Sequence, residues 1–221
     1  KQLLQRLEFR SLLSRLPEHM QSNAQDTLFS AQKIDAAKET SLKADTKKKI
    51  VAASQLMVSV VNEKWLVSTE PTTFFIVDDK LALELIGRAT IIAHDSKPLL
   101  KKLLQLGSKT LPKVLHDTRQ ASFLINSLSR TKSLEDESGI DLAGDDGSKT
   151  VAAVWSVYHA QTKAFREVPK VAKLAREIDF SLIPILAKME YFGVKINTQF
   201  FDKTSQDLEK KLAELHKEIY A

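Results

Sequence analysis

The chain of 221 residues carries 33 Lys and Arg against 28 Asp and Glu, a net charge of +5, with 43% hydrophobic residues, six Gly, six Pro and no Cys. The lack of cysteine excludes a disulfide scaffold and any thiolate metal site and fits a reducing compartment. No apolar run approaches the ~20 residues of a membrane span. The length suits one large domain, or a domain plus part of another, and the basic balance points to an anionic partner, of which nucleic acid is the usual one.

The opening stretch, KQLLQRLEFRSLLSRLPEH, is basic and amphipathic. Leu3, Leu4, Leu7, Leu12, Leu13 and Leu16 fall near helical spacing and predict a helix over 1–16, ended by Pro17. It lacks the apolar centre and cleavage site of a secretory signal, and its first residue, Lys1, suits an excised piece. Residues 19–49 are polar and weakly patterned, so they read as a linker with at most one short helix. The one dense run of cations, Lys47–Lys49, reads as solvated linker.

At Ile50 the pattern changes. Gln55–Val61 and Lys64–Ser68 are β-branched runs joined by Asn62 and Glu63, which predicts a hairpin, and Thr73–Val77 reads as a third strand. Asp78 or Asp79 caps a helix through Ile86 that Gly87 stops. ATIIAH is the next strand, followed by a helix over 96–106 ended by Gly107. KVLH is a further strand, and Asp117 with Gln120 forms a capping box for the helix after it. The stretch 131–149 reads as a polar loop. Helices are predicted over 149–166 and 170–192, separated by Pro169 and ended by Gly193. VKI is a short strand, and Asn197 caps a last helix over 198–220. A hairpin followed by alternating strands and helices specifies an α/β layer fold with a helical tail. There is no internal repeat.

Several of these stretches carry a family likeness. Glu177–Ala221, with Pro184, Met189, Glu190, Gly193, Val194 and Ile196, resembles the opening of the polymerase domain of bacterial DNA polymerase I, family A. VLHDTRQASFLINS (Val114–Ser127) resembles a helix of that family's 3′–5′ exonuclease domain, LMVSVVNEKWLVSTEP resembles its hairpin, and LEFRSLL (Leu7–Leu13) resembles the tail that follows its 5′ nuclease. The pieces occur in family order. The resemblance implies a ribonuclease H-like 3′–5′ exonuclease fold, a mixed sheet flanked by helices, followed by a helical segment. It divides the chain into a helix and linker after a 5′ nuclease (1–26), an exonuclease-like domain (27–168) and the start of the polymerase thumb (169–221). It places polymerase motifs, with their Mg²⁺, beyond Ala221, so that this chain alone neither polymerises DNA nor needs a cofactor. It also implies DNA and the polymerase domain of the same chain as partners, no membrane, and a cytoplasmic place near the bacterial nucleoid.

A proofreading exonuclease of this kind cuts a phosphodiester with two metal ions about 4 Å apart, and hard divalent ions take oxygen ligands. The family supplies these from an Asp-x-Glu on the first strand, an Asp after N-L-K-Y, and a Tyr-x-x-x-Asp on a late helix. On that pattern Leu99 stands for the second Asp, Val151 for the Tyr and Trp155 for the last Asp. The first pair is either Asp45 and Lys47 or, if Gln55–Val61 is the first strand, Ser59 and Val61. Asp95 falls at the strand–helix junction, where it is expected to accept the Lys97 N–H as a cap. Tyr158 and His159 read as helix-interface aromatics. Glu135, Asp136, Glu137, Asp141, Asp145 and Asp146 read as solvated loop charges. The five His residues show no ligand spacing, and nothing marks a nucleophile elbow.

The expected function is therefore that of a catalytically silent exonuclease-like domain with a structural role in a DNA polymerase. Two alternatives stand beside it. One is an active metal-dependent nuclease using displaced carboxylates such as Asp45, Asp95 and Asp117. The other is a nucleic-acid-binding adaptor without catalysis.

Overall fold

The computed structural model describes residues 35–40, 50, 53, 55–87, 89–127 and 133–220. The predicted helix over 1–16, the boundary at residue 26, Asp45, Lys47 and the Lys47–Lys49 run lie outside the described residues.

Six strands form one mixed sheet: β1 (Lys38–Glu39), β2 (Gln55–Val61), β3 (Lys64–Glu70), β4 (Thr73–Val77), β5 (Thr90–Ala93) and β6 (Lys113–Asp117), in the order β1-β4-β3-β2-β5-β6. β2, β3 and β4 form an antiparallel meander, while β5 and β6 extend it in parallel from β2. Asn62 and Glu63 both take positive φ, 49° and 64°. A two-residue turn of this hand matches the twist of the flanking strands, and Asn tolerates it. β1, inside the segment read as linker, pairs in parallel with β4 at the sheet edge. Two exposed residues leave no alternation to detect.

The helices are α1 (Asp79–Ile86), α2 (Ser96–Gln105), α3 (Thr118–Ile125), α4 (Leu134–Ser138), α5 (Ser148–Glu167), α6 (Pro169–Leu174), α7 (Phe180–Phe192) and α8 (Thr198–Tyr220). Asp78 caps α1, accepting the Leu81 N–H at 2.8 Å. α4 lies in the stretch read as a loop, capped by Ser133, which accepts the Asp136 N–H. Pro169 opens α6 rather than only ending α5, because its missing N–H costs nothing in the first turn. A π-helical turn over Ala175–Asp179 then joins α6 to α7. The predicted strand at 194–196 does not form. Val194 and Ile196 are exposed, with no strand to complete a ladder. Asn197 does cap α8, accepting the Phe200 N–H at 3.1 Å.

Alternation along β2 divides the core. Leu56 and Val58 point to a cluster with Leu85 of α1, Leu100 and Leu103 of α2, Ala121 of α3, and Phe180, Ile183 and Ala187 of α7. Met57 points the other way, with Leu66, Phe74 and Ile92, to Leu134 of α4 and to Val151, Val154 and Trp155 of α5. Each face of the sheet thus has its own helical layer. α8 has no buried residue. Among the described residues no helix is long and apolar enough to cross a membrane.

Candidate functional site

β2 lies between β3 and β5 and is parallel to β5, and its continuous apolar run, with Leu56, Met57 and Val58 all buried, suits a strand covered on both faces. The period of two puts Ser59 and Val61 on the Met57 side, the side covered by α5. Val61 packs against the cluster that contains Val151 and Trp155. Val151 is fully buried and Trp155 is 8% exposed. The Trp155 indole donates Nε1–H to Ser68 Oγ of β3 at 3.1 Å. Tyr158 meets its ring edge-on and His159 stacks on it at 5.6 Å.

The structure therefore brings Val61, Val151 and Trp155 together, with Ser59 on the same strand face. It does not bring Leu99 to them. Leu99 lies on α2 and packs against the cluster on the opposite side of the sheet. A divalent ion needs several oxygen ligands, carboxylates above all, and Val61, Val151 and Trp155 supply two isopropyl groups and an indole whose one polar atom is a donor, already given to Ser68. The residues do not fit a metal. No group of three or more His, Asp or Glu side chains among the described residues could hold one.

The other chemistry-bearing region is the carboxyl end of β5 and β6, where open α/β sheets place ligands. Asp95 is not a cap, contrary to the expectation. Its backbone is left-handed (φ 54°, ψ 66°), it makes no capping hydrogen bond, and its carboxylate pairs with Arg119. The cap of α2 comes from Asp117 at the end of the neighbouring strand. Asp117 Oδ2 accepts the Ser96 N–H and the Ser96 Oγ–H, both at 2.6 Å. Oδ1 accepts the Gln120 N–H at 3.0 Å, which caps α3 as the capping-box spacing predicts. Asp117 is 3% exposed, and its oxygens are filled with donors. His94 Nδ1 lies 2.8 Å from Thr118 Oγ1. Burial lowers the His94 pKa, against the opposing pull of Asp117 and Asp95.

A cleft of about 600 Å³ opens beside this junction, lined by Asp95, Lys97, Arg119, Phe123 and Leu186 among others. Its rim is tied by ion pairs. Lys97 and Lys101 both hold Glu190 of α7, at 2.6 and 3.2 Å. The junction thus unites two of the rival nuclease's carboxylates, Asp95 and Asp117, yet commits one to Arg119 and the other to two helix caps.

Behind the junction His116 is buried. Its Nε2 lies 2.8 Å from Gln161 Oε1, while Gln161 Nε2 donates to Thr118 O and Ser122 Oγ. An amide oxygen only accepts, so His116 carries its proton on Nε2. Burial outweighs this hydrogen bond and pushes its pKa down to about 4. The acidic loop residues are exposed or half-buried, as solvated loop charges are, and they also accept local hydrogen bonds. Glu135 accepts the Leu142 N–H, Asp136 lies 2.5 Å from Ser133 Oγ, Asp141 accepts Ala143 N–H, Asp145 accepts the Lys149 and Thr150 N–H groups, and Asp146 accepts that of Ser148. Sequence reasoning missed the Asp117–Ser96 and His116–Gln161 pairs, which join residues 21 and 45 apart.

No protein-family model and no curated protein matches the sequence. Solved structures do resemble the fold. The POL domain of Pol1 from M. smegmatis, in complex with DNA primer-template and dNTP, superposes with a TM-score of 0.65 at 15% identity, over 80% of this chain and 36% of that one. A nuclease in its apo form gives 0.53 at 12% identity, over 70% of this chain and 92% of that one. Brucella melitensis NrnC with bound Mg²⁺ gives 0.51 at 14% identity, again over 70% and 92%. The chain thus spans little more than a third of the polymerase structure it resembles. With its six-stranded mixed sheet between helical layers, it has a ribonuclease H-like 3′–5′ exonuclease fold.

Proposed function

We propose that this chain is the exonuclease-like middle of a family A DNA polymerase with the first helices of its polymerase domain, and that the exonuclease-like domain is structural rather than catalytic. One observation carries the reading. Three of the expected ligand positions, from two different elements, meet in one cluster as Val61, Val151 and Trp155, while Leu99 packs on the other side of the sheet. A scaffold can outlive its site. The divisions 1–26, 27–168 and 169–221, a cytoplasmic setting, and partnership with DNA through the polymerase domain belong to the same proposal. The motif of residues 177–221 and the polymerase superposition support it.

The structural role is to seat α7, the first long helix of the proposed polymerase segment. Phe180, Ile183 and Ala187 pack on the domain core, and Glu190 is held by two lysines of α2. Mg²⁺ chemistry belongs to the polymerase motifs, not to this face.

Incubation with end-labelled single-stranded DNA in Mg²⁺ or Mn²⁺ tests the proposal. The expected result is no mononucleotide release above a buffer blank. Metal-dependent release that is lost in Asp95→Asn would instead establish the displaced-carboxylate nuclease. Genomic sequence continuing into polymerase motifs separates a polymerase from a free-standing adaptor.

A further inference from the structure

Two dense groups of cations lie within the described residues. Between 97 and 113 stand Lys97, Lys101, Lys102, Lys109 and Lys113. Three of these are engaged, two with Glu190 and one with Glu63. Between 163 and 176 stand Lys163, Arg166, Lys170, Lys173 and Arg176, against the single acid Glu167, in a chain whose whole net charge is +5. All five are exposed. Lys173 reaches Glu177 at 3.9 Å; Lys163, Arg166, Lys170 and Arg176 have no carboxylate partner among the described residues.

The local fold turns these charges outward. Phe165, Ala172 and Ala175 from the same stretch are buried in the core. Val168, with φ −126° and ψ 66°, breaks the helix, and Pro169 restarts it, making a corner of α5, α6 and the π turn. Like charges held together without counter-charges favour a polyanion, whose approach relieves their repulsion. The only aromatic residue between 163 and 176, Phe165, is buried, so this stretch offers no ring to stack on a base.

We infer that the α5–α6 corner, through Lys163, Arg166 and Lys170, binds the phosphate backbone of duplex DNA without regard to sequence. This surface is separate from the filled exonuclease face, and it does not require that face to be inactive. Contacts of this kind release counterions, so affinity falls steeply with salt.

The test is fluorescence anisotropy of the chain with a labelled duplex, in EDTA, over a range of salt. The corner variant is Lys163→Gln/Arg166→Gln/Lys170→Gln. The control, Lys64→Gln/Lys80→Gln/Lys109→Gln, removes the same charge elsewhere. All six are exposed, and a thermal melt verifies folding; Lys170→Glu alone serves as a milder second variant. The corner variant should bind at least about tenfold more weakly at low salt, with the log–log salt slope reduced by about 2 to 3, as expected for the loss of three phosphate contacts. The control should stay within about twofold. Equal losses in both variants, or no loss at the corner, overturn the assignment. So does binding of poly-glutamate as tight as that of DNA and lost in the corner variant, because the surface would then fit an acidic protein. EDTA makes the result independent of any nuclease activity.

Discussion

Asp117 and Ser96 are joined by two hydrogen bonds of 2.6 Å, from the Ser96 backbone N–H and from its hydroxyl to one carboxylate oxygen. The contact links the end of β6 to the start of α2, while the other oxygen caps α3. One buried carboxylate therefore sets the start of two helices. Its removal strands several donors at once, and the cost of an unsatisfied buried group exceeds the worth of the bond itself. Asp117→Ala should lower stability by about 2 to 4 kcal/mol, and Ser96→Ala by about 1 kcal/mol. Urea unfolding at unchanged m-value measures both. Equal, small losses would mean that the caps are incidental.

Trp155 makes a second prediction. Trp155→Asp restores the expected exonuclease carboxylate in name only, because the site is lined by Val61, Val151, Met57 and Leu66. An isolated buried charge there should cost at least about 3 kcal/mol, with no metal-dependent recovery. Trp155→Phe loses mainly the hydrogen bond to Ser68 and should cost about 1 to 2 kcal/mol. Recovery of Trp155→Asp by Mn²⁺ would show a latent site.

His116 predicts a pH dependence. Its folded-state pKa, about 4, lies below the unfolded value of 6.5. Below pH 6.5 the unfolded chain takes up a proton that the folded chain refuses, so stability falls as pH drops toward 4. The loss is at most about 3 kcal/mol across that window. His94, also depressed by burial, acts in the same direction. His116→Gln should flatten the profile measured by urea unfolding between pH 7 and 4.5. A profile as steep as that of the wild type would place the proton uptake elsewhere.

α8 presents Phe201, Leu208, Leu212, Leu215 and Ile219, all more than half exposed. Their spacing is that of a coiled-coil seam, and the helix buries nothing. A helix without tertiary contacts is marginal. A chain ended at Asn197 should unfold within about 0.5 kcal/mol of the longer one, and the Leu208–Ile219 amides should exchange quickly in dilute solution. A loss above about 1 kcal/mol on truncation would show that the seam already has a partner.

What could be read in advance follows the range of each interaction. Asp78, Asp117 and Asn197 were recognisable as caps because each accepts an N–H three residues on. Asp95 misled because the same local pattern was present, yet the cap of α2 arrives from a different strand. The VKI stretch has strand composition, but a strand needs a ladder partner, and residues 194–196 have none. The β-branched run of β2 identified a strand without revealing that it occupies the centre of the sheet. That placement, through its parallel pairing with β5, brings Val61 beside α5. Val151 and Trp155 stand out in the sequence only through the family resemblance, and Leu99, marked by the same resemblance, lies on the other side of the sheet.

The most direct test of the central proposal, that the exonuclease face no longer holds metal, is a thermal melt of the chain in millimolar Mn²⁺ with and without EDTA. A ligand that binds the folded state at a hundred times its Kd stabilises it by about 2.7 kcal/mol, a shift that a melt resolves. With Val61, Val151 and Trp155 filling the face, the account predicts the same Tm in Mn²⁺ and in EDTA. A dose-dependent rise in Tm that EDTA reverses and that Asp95→Asn leaves in place would contradict it.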